Sequence, residues 1–238
     1  MHELTEERLL AVWEAGSGQD PRTRALLLAT AAAPPGEPVP DRSLAAVHAL
    51  LLGLVERSFG GSFPCGAECP ACAEPLDITV GTAELRPPEP SVPAAAPPRT
   101  GRLRAAGHEV TYRALTLRDL LAVDPAGPEA RRDLVSRCVV RAVPDVRPLP
   151  DAVVEAVGGR LADLDPGADT VLDLTCPSCR HAWPAAFDIA EHLWAAVERY
   201  ARRLLHDVHT LAHAYGWTEP DVLAVSPARR RFYLEAAG

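Results

Sequence analysis

Cys69-Pro70-Ala71-Cys72 and Cys176-Pro177-Ser178-Cys179 are two copies of one Cys-Pro-x-Cys turn, with 103 residues between them. Such a turn puts two sulfurs on one side of a cation and leaves backbone amides free to approach the thiolates; two turns complete a closed tetrahedral set. Leu76-Asp77-Ile78-Thr79-Val80 leaves the first turn with the alternation of a strand. Asp169 to Thr175 leads into the second turn as a strand, and Trp183 to Phe187 leaves it as another. This is the logic of a zinc ribbon, with one structural zinc ion per chain held by Cys69, Cys72, Cys176 and Cys179. A compact ribbon holds far fewer residues between its pairs, so the intervening chain is an insertion.

Other readings of these thiols are weaker. Disulfides suit an oxidising compartment. A redox Cys-x-x-Cys follows a strand and opens a helix, whereas a strand follows Cys72. Cys65, separated from Cys69 by three residues, could exchange roles with the predicted ligands and is read as a spare thiol; Cys138, among Leu134, Val135, Val139 and Val140, reads as a small core residue on a helix. His206, His209 and His213 recur at helical spacing but lack a nearby acidic base motif, so they read as the polar face of a helix rather than a second metal site. His181 is a reserve ligand or a donor to one.

Working outward, the chain reads as α+β and mainly helical, with a small zinc-ribbon-like β element built from the two distant turns. Residues 1–62 form an N-terminal helical region. Its first helix follows Thr5 and is closed by Gly16 and Gly18, a second opens at Asp20-Pro21 and stops at Pro34-Pro35, and a third is capped by Asp41. Residues 63–86 hold the first knuckle and its strand, and 87–100 are a spacer, with Pro87 to Pro98 dominated by proline and alanine. Residues 101–167 are a hairpin turning near Gly107, a capping box at Thr116 and Asp119, and helices at about Pro128 to Val143 and Pro150 to Leu164. Residues 168–188 are the second knuckle. In 189–238, Asp188 caps a long amphipathic helix ending near Gly216, followed by helix starts at Thr218-Glu219-Pro220-Asp221 and Ser226-Pro227.

Composition excludes several function classes. Hydrophobic residues at 47% and charged residues at 24% place the chain among folded globular proteins. All 24 basic residues are arginine, which removes a Schiff-base lysine and the lysine of a P-loop. The net charge of -8 argues against a broad nucleic-acid surface. Glu3, Glu6 and Glu7 stand where a leader would be basic, and no segment is apolar for the length of a membrane span, so a cytoplasmic chain is expected. Gly-x-Ser-x-Gly, His-Glu-x-x-His and Gly-rich phosphate loops are missing, and four thiolates leave zinc no open position for water. The expectation is a protein that is not an enzyme and has no small-molecule substrate. A partner surface is expected on the tail at Trp217, Arg229, Arg230, Phe232 and Tyr233, because aromatic and arginine side chains dominate binding hot spots.

Further residues carry a family resemblance. Glu7-Arg8-Leu9-Leu10-Ala11-Val12-Trp13-Glu14, the two Cys-Pro-x-Cys turns, and His181-Ala182-Trp183 leading to Phe187-Asp188-Ile189 are part of it. Leu204-Leu205-His206-Asp207-Val208-His209, Ala214-Tyr215-Gly216-Trp217-Thr218-Glu219-Pro220-Asp221-Val222-Leu223-Ala224 and Ser226-Pro227-Ala228-Arg229-Arg230-Arg231-Phe232-Tyr233-Leu234 complete it. The chain resembles baseplate proteins of contractile injection systems, a family related to phage baseplate hub assembly chaperones. The resemblance implies a non-enzymatic baseplate component or assembly factor, partnered by other baseplate, hub or spike proteins, in the cytoplasm during assembly or within the particle. It brings no catalytic residues and does not extend to Cys65 or the Pro87 to Pro98 linker. The alternative from another class is a zinc-ribbon nucleic-acid-binding regulator, against which the acidity weighs.

Overall fold

Local capping chemistry sets the helical body. In a computed structural model, which describes residues 4–86 and 97–237, the Thr5 hydroxyl accepts the Arg8 N–H at 3.3 Å and opens α1 (Glu6–Gly16). Asp20 accepts the N–H groups of Arg22 and Thr23 and opens α2 (Pro21–Ala32), with Pro21 in the first turn, where a missing N–H costs nothing. The third helix, α3 (Leu44–Ser58), is capped by Ser43 and not by Asp41. Asp41 closes a short 3-10 turn, Arg42 after it is extended, and the Asp41 carboxylate is taken in a two-point grip by Arg118 at 2.6 and 3.0 Å. The linker expected at Pro87 to Pro98 falls, over 87–96, outside the described residues.

The long helix α7 (Ile189–Tyr215) opens where the Asp188 carboxylate accepts the Glu191 N–H at 2.9 Å, and ends at Gly216 in the left-handed region. Its apolar stripe, with Ile189, Leu193, Val197 and Ala201 at no exposure, packs on α1, α2 and α3 around Leu28, Leu51 and Leu54. Trp194 lies so close to Gly16 that a Cβ there would come within 2.5 Å of the indole ring. The tail folds as α8 (Glu219–Ala224), with a capping box between Thr218 and Asp221, and α9 (Pro227–Ala237).

Between the cysteine pairs a second core forms. Strands β3 (Thr100–Ala105) and β4 (His108–Arg113) turn at Ala106 and Gly107, both at positive φ, as a tight two-residue hairpin requires. The helix expected to run to Val143 stops at Cys138: α5 covers Ala130–Cys138, and β5 (Val139–Val143) pairs with β4 as the third strand. A β-branched run with β4's free edge beside it finds its backbone partners across the sheet rather than along a helix. The helix α6 (Asp151–Leu164) covers this sheet, enclosing Val110, Tyr112, Val135, Val153 and Val157. A short helix α4 (Leu117–Leu121) carries the expected capping box. Its Asp119, 2% exposed, is held by Arg113 at 2.6 and 3.0 Å. Helix makes up 50% of the described residues and strand 19%, a mixed fold dominated by helix.

Candidate metal centre

Each cysteine pair sits in the turn of a two-stranded hairpin. The first joins β1 (Ser62–Glu68) to β2 (Pro75–Gly81); the second joins β6 (Val171–Thr175) to β7 (Ala182–Ala186). Strand β1 was not expected from the sequence, because Pro64 and Gly66 interrupt its alternation. A two-stranded sheet leaves every strand an outer edge, and there a proline without an N–H is tolerated.

The two turns repeat one another atom for atom along the backbone. Cys69 N–H donates to Glu74 O at 3.0 Å and Ala73 N–H to Cys69 O at 2.8 Å; Cys176 N–H donates to His181 O and Arg180 N–H to Cys176 O, both at 2.9 Å. Ala73 and Arg180, four residues past the first cysteine of each turn, take φ of 57° and 61°. A side chain is strained in that region, so both turns accept the same local cost to aim their sulfurs.

The four sulfurs converge. All lie within 4.8 Å of one another, with Cys69 Sγ 3.6 Å from Cys179 Sγ and Cys72 Sγ 3.7 Å from Cys176 Sγ. A tetrahedron of thiolates at about 2.3 Å from a central zinc has edges of about 3.8 Å. Two of the six separations match that edge and the rest stay within 4.8 Å, a group able to hold a tetrahedral cation. Cys69 and Cys176 are buried while Cys72 and Cys179 are exposed, so each turn supplies one inner and one outer sulfur.

Electrostatics agree with a site built for positive charge. The Cys179 N–H directed at Cys176 is the main reason that thiol is held down at about 7; burial opposes it, and the Ser178 N–H adds to it. At Cys72 the Glu74 N–H lowers the pKa, but the crowding sulfur of Cys179, burial, and the sulfurs of Cys69 and Cys176 prevail and push it up to about 12. Four thiols this close cannot all ionise alone, since each added thiolate repels the others. A divalent cation removes that conflict.

The remaining cysteines and histidines stay apart. Cys65 points to the Phe63 and Ile78 carbonyls at 3.7 and 3.8 Å, and Cys138 is buried at the end of α5. His206, His209 and His213 are exposed on α7, and His181 stacks on Trp183 with ring centroids 5.9 Å apart while its carbonyl serves the second turn. Among the described residues, the four-cysteine group is the one cluster of three or more metal-ligating side chains.

The tail residues divide. Trp217 and Tyr233 form an aromatic cluster with Tyr215, Phe232 is 66% exposed, and Arg229 is exposed. Arg230, expected on the docking surface, is 4% exposed: it donates to Glu6 Oε2 at 2.7 Å, also pairs with Glu6 Oε1, and lies 3.7 Å from Asp207. Tyr200 donates to the same Glu6 carboxylate at 2.7 Å. The sequence carried no signal for this knot, because Glu6 and Arg230 stand 224 positions apart.

No helix among the described residues is long and apolar enough to cross a membrane. Comparison of the chain with family models, curated proteins and solved structures found no match.

Proposed function

We propose that Cys69, Cys72, Cys176 and Cys179 hold one structural zinc ion, and that the chain is a non-enzymatic baseplate component or assembly factor of a contractile injection system. The observation that carries the metal reading is the four-sulfur cluster at tetrahedral spacing. Soft thiolate ligands in a tetrahedral set favour zinc among the common divalent ions. Four protein ligands leave no position for water, so the ion's role is to tie the two hairpin turns together. Metal analysis and X-ray absorption test this: about one zinc per chain with four sulfurs near ~2.3 Å is expected. Nitrogen and oxygen ligands, or no metal under reducing conditions, would refute it.

The baseplate reading rests on the sequence resemblance. It is supported by the way the resembling segments gather: α1, the two knuckle hairpins and α7 to α9 pack on one another, whereas the β3–β4–β5 sheet and its helices, which carry none of the resemblance, form the separate core. Partners would be other baseplate, hub or spike proteins. Deleting the gene in its own cell should abolish assembled contractile particles by electron microscopy, with restoration by the intact gene. Normal particles without the chain would overturn the proposal.

A further inference from the structure

Where α9 crosses α7 the surface opens into a pocket of about 250 Å³, lined among others by Tyr200, Arg203, Asp207, Arg230, Arg231 and Leu234. On α9 the lining residues Pro227, Arg230, Arg231 and Leu234 recur at helical spacing, so one face of that helix forms the wall. The floor is electrically closed, because Arg230 is matched by Glu6 and Asp207. The walls are open: Arg203 and Arg231 make no ion pair among the described residues. The Arg203 guanidinium is already placed, 5.2 Å from the centre of the Tyr200 ring, which holds a long side chain over the opening. Arg203 and Arg231 both line a hollow smaller than a drug-sized ligand requires. A pocket of that size suits a side chain.

We propose that this pocket binds a carboxylate side chain from an acidic segment of a protein partner, gripped between Arg203 and Arg231. Guanidinium forks match the two oxygens of a carboxylate. The exposed Phe232 lies beside Arg231 on α9 and supplies apolar area next to the charged contact. A nucleic-acid strand offers the same forks a phosphate, and the test below separates the two. The proposal goes beyond the particle assignment and does not depend on it, because the pocket's chemistry is the same whichever assembly supplies the acidic segment.

The test is fluorescence anisotropy of the whole zinc-loaded protein with a labelled, acetylated hexaglutamate peptide at low ionic strength. Saturable binding that weakens with salt is expected. Arg203→Ala with Arg231→Ala should weaken it by about tenfold or more, while Arg102→Ala, exposed on β3 and outside the pocket, should change it by less than about twofold. Thermal unfolding and zinc content establish that the double variant is folded. Should it fail to fold, Arg203→Lys with Arg231→Lys keeps both charges without the fork, and a loss of about threefold is expected there. Equal losses for Arg102→Ala and the pocket variants, unchanged affinity in the lysine variant, absence of saturable binding, or tighter binding of an oligothymidylate than of hexaglutamate would each overturn the proposal.

Discussion

Stripping the metal should open one hairpin far more than the other. In β1–β2, Phe63 and Val80 stand opposite one another and are 3% and 4% exposed, inside the larger core. Two such side chains contribute about 3–6 kcal/mol of burial that does not involve the cysteines. In β6–β7 the strands hold no buried apolar side chain: Leu172, Leu174 and Trp183 are half-buried and Val171 is 56% exposed. Their anchors are Cys176 within the turn and Phe187 just past the end of β7. A lone two-stranded hairpin is marginal in water, so without metal β6–β7 should open at almost no free-energy cost while the root of β1–β2 stays shut. The difference of about 3–6 kcal/mol corresponds to roughly 10²–10⁴ in opening equilibrium. Hydrogen exchange followed by mass spectrometry, on reduced protein with and without a zinc chelator, reads it directly. Amides from Val171 to Ala186 should lose protection by that factor relative to those around Phe63 and Val80. Equal deprotection of both hairpins, or none, would refute the reasoning that the metal is the main tie of β6–β7.

Cys69→Ser or Cys176→Ser should lower the Tm far more than Cys65→Ser, because metal binding is coupled to folding and the Cys65 sulfur meets only two carbonyls at long range; equal losses in calorimetry would mean the wrong ligand set. Burial alone would raise the Asp119 pKa, but hydrogen bonds from Arg113 and Thr116 hold it down at about 2, so its contribution is present above the unfolded carboxyl pKa and is lost as pH falls through the folded one. Denaturant titrations should therefore lose about 2 kcal/mol between roughly pH 4 and 2, and Asp119→Asn should flatten that limb. Arg230→Met leaves Glu6 and Asp207 without their cation and should cost about 2–3 kcal/mol by urea unfolding while zinc content is unchanged; a neutral result would mean the pair only breaks even against packing.

Much of the helical body was legible because its signals are local. Thr5, Asp20, Asp188 and the Thr218–Asp221 box are each within three residues of what they cap, and the turn at Gly107 announces itself in the same way. The meeting of the four cysteines was legible for that reason too: a Cys-Pro-x-Cys turn is complete in four residues, and its duplication named the other half. What failed depended on neighbours remote in sequence. Val139 to Val143 follows a helix without a break, and only the open edge of β4 makes it a strand. Ser43 displaced Asp41 as a cap because Arg118, 77 positions away, claims the Asp41 carboxylate. The run Arg229-Arg230-Arg231 is uniform on paper, yet successive helical residues turn by about 100°, so one of the three must face inward. Which one it is depends on Glu6.

The two hairpins are joined twice, and the two joints share one cost. At the roots, Phe63 and Phe187 meet edge to face with ring centroids 5.4 Å apart; at the tips, the four sulfurs converge. Closing a flexible chain of 103 residues costs about 4 kcal/mol of loop entropy, and it is incurred once by whichever joint forms first. The aromatic root lies in a core that forms without metal, so the two chain segments are already neighbours when a cation arrives, and the ion then closes β6–β7 against the standing β1–β2 hairpin. The length of the insertion then matters little, because closure cost rises only with its logarithm. The residues between the pairs are free to build the β3–β4–β5 sheet on a core of their own, and the clamp tolerates a separation that a compact ribbon does not reach.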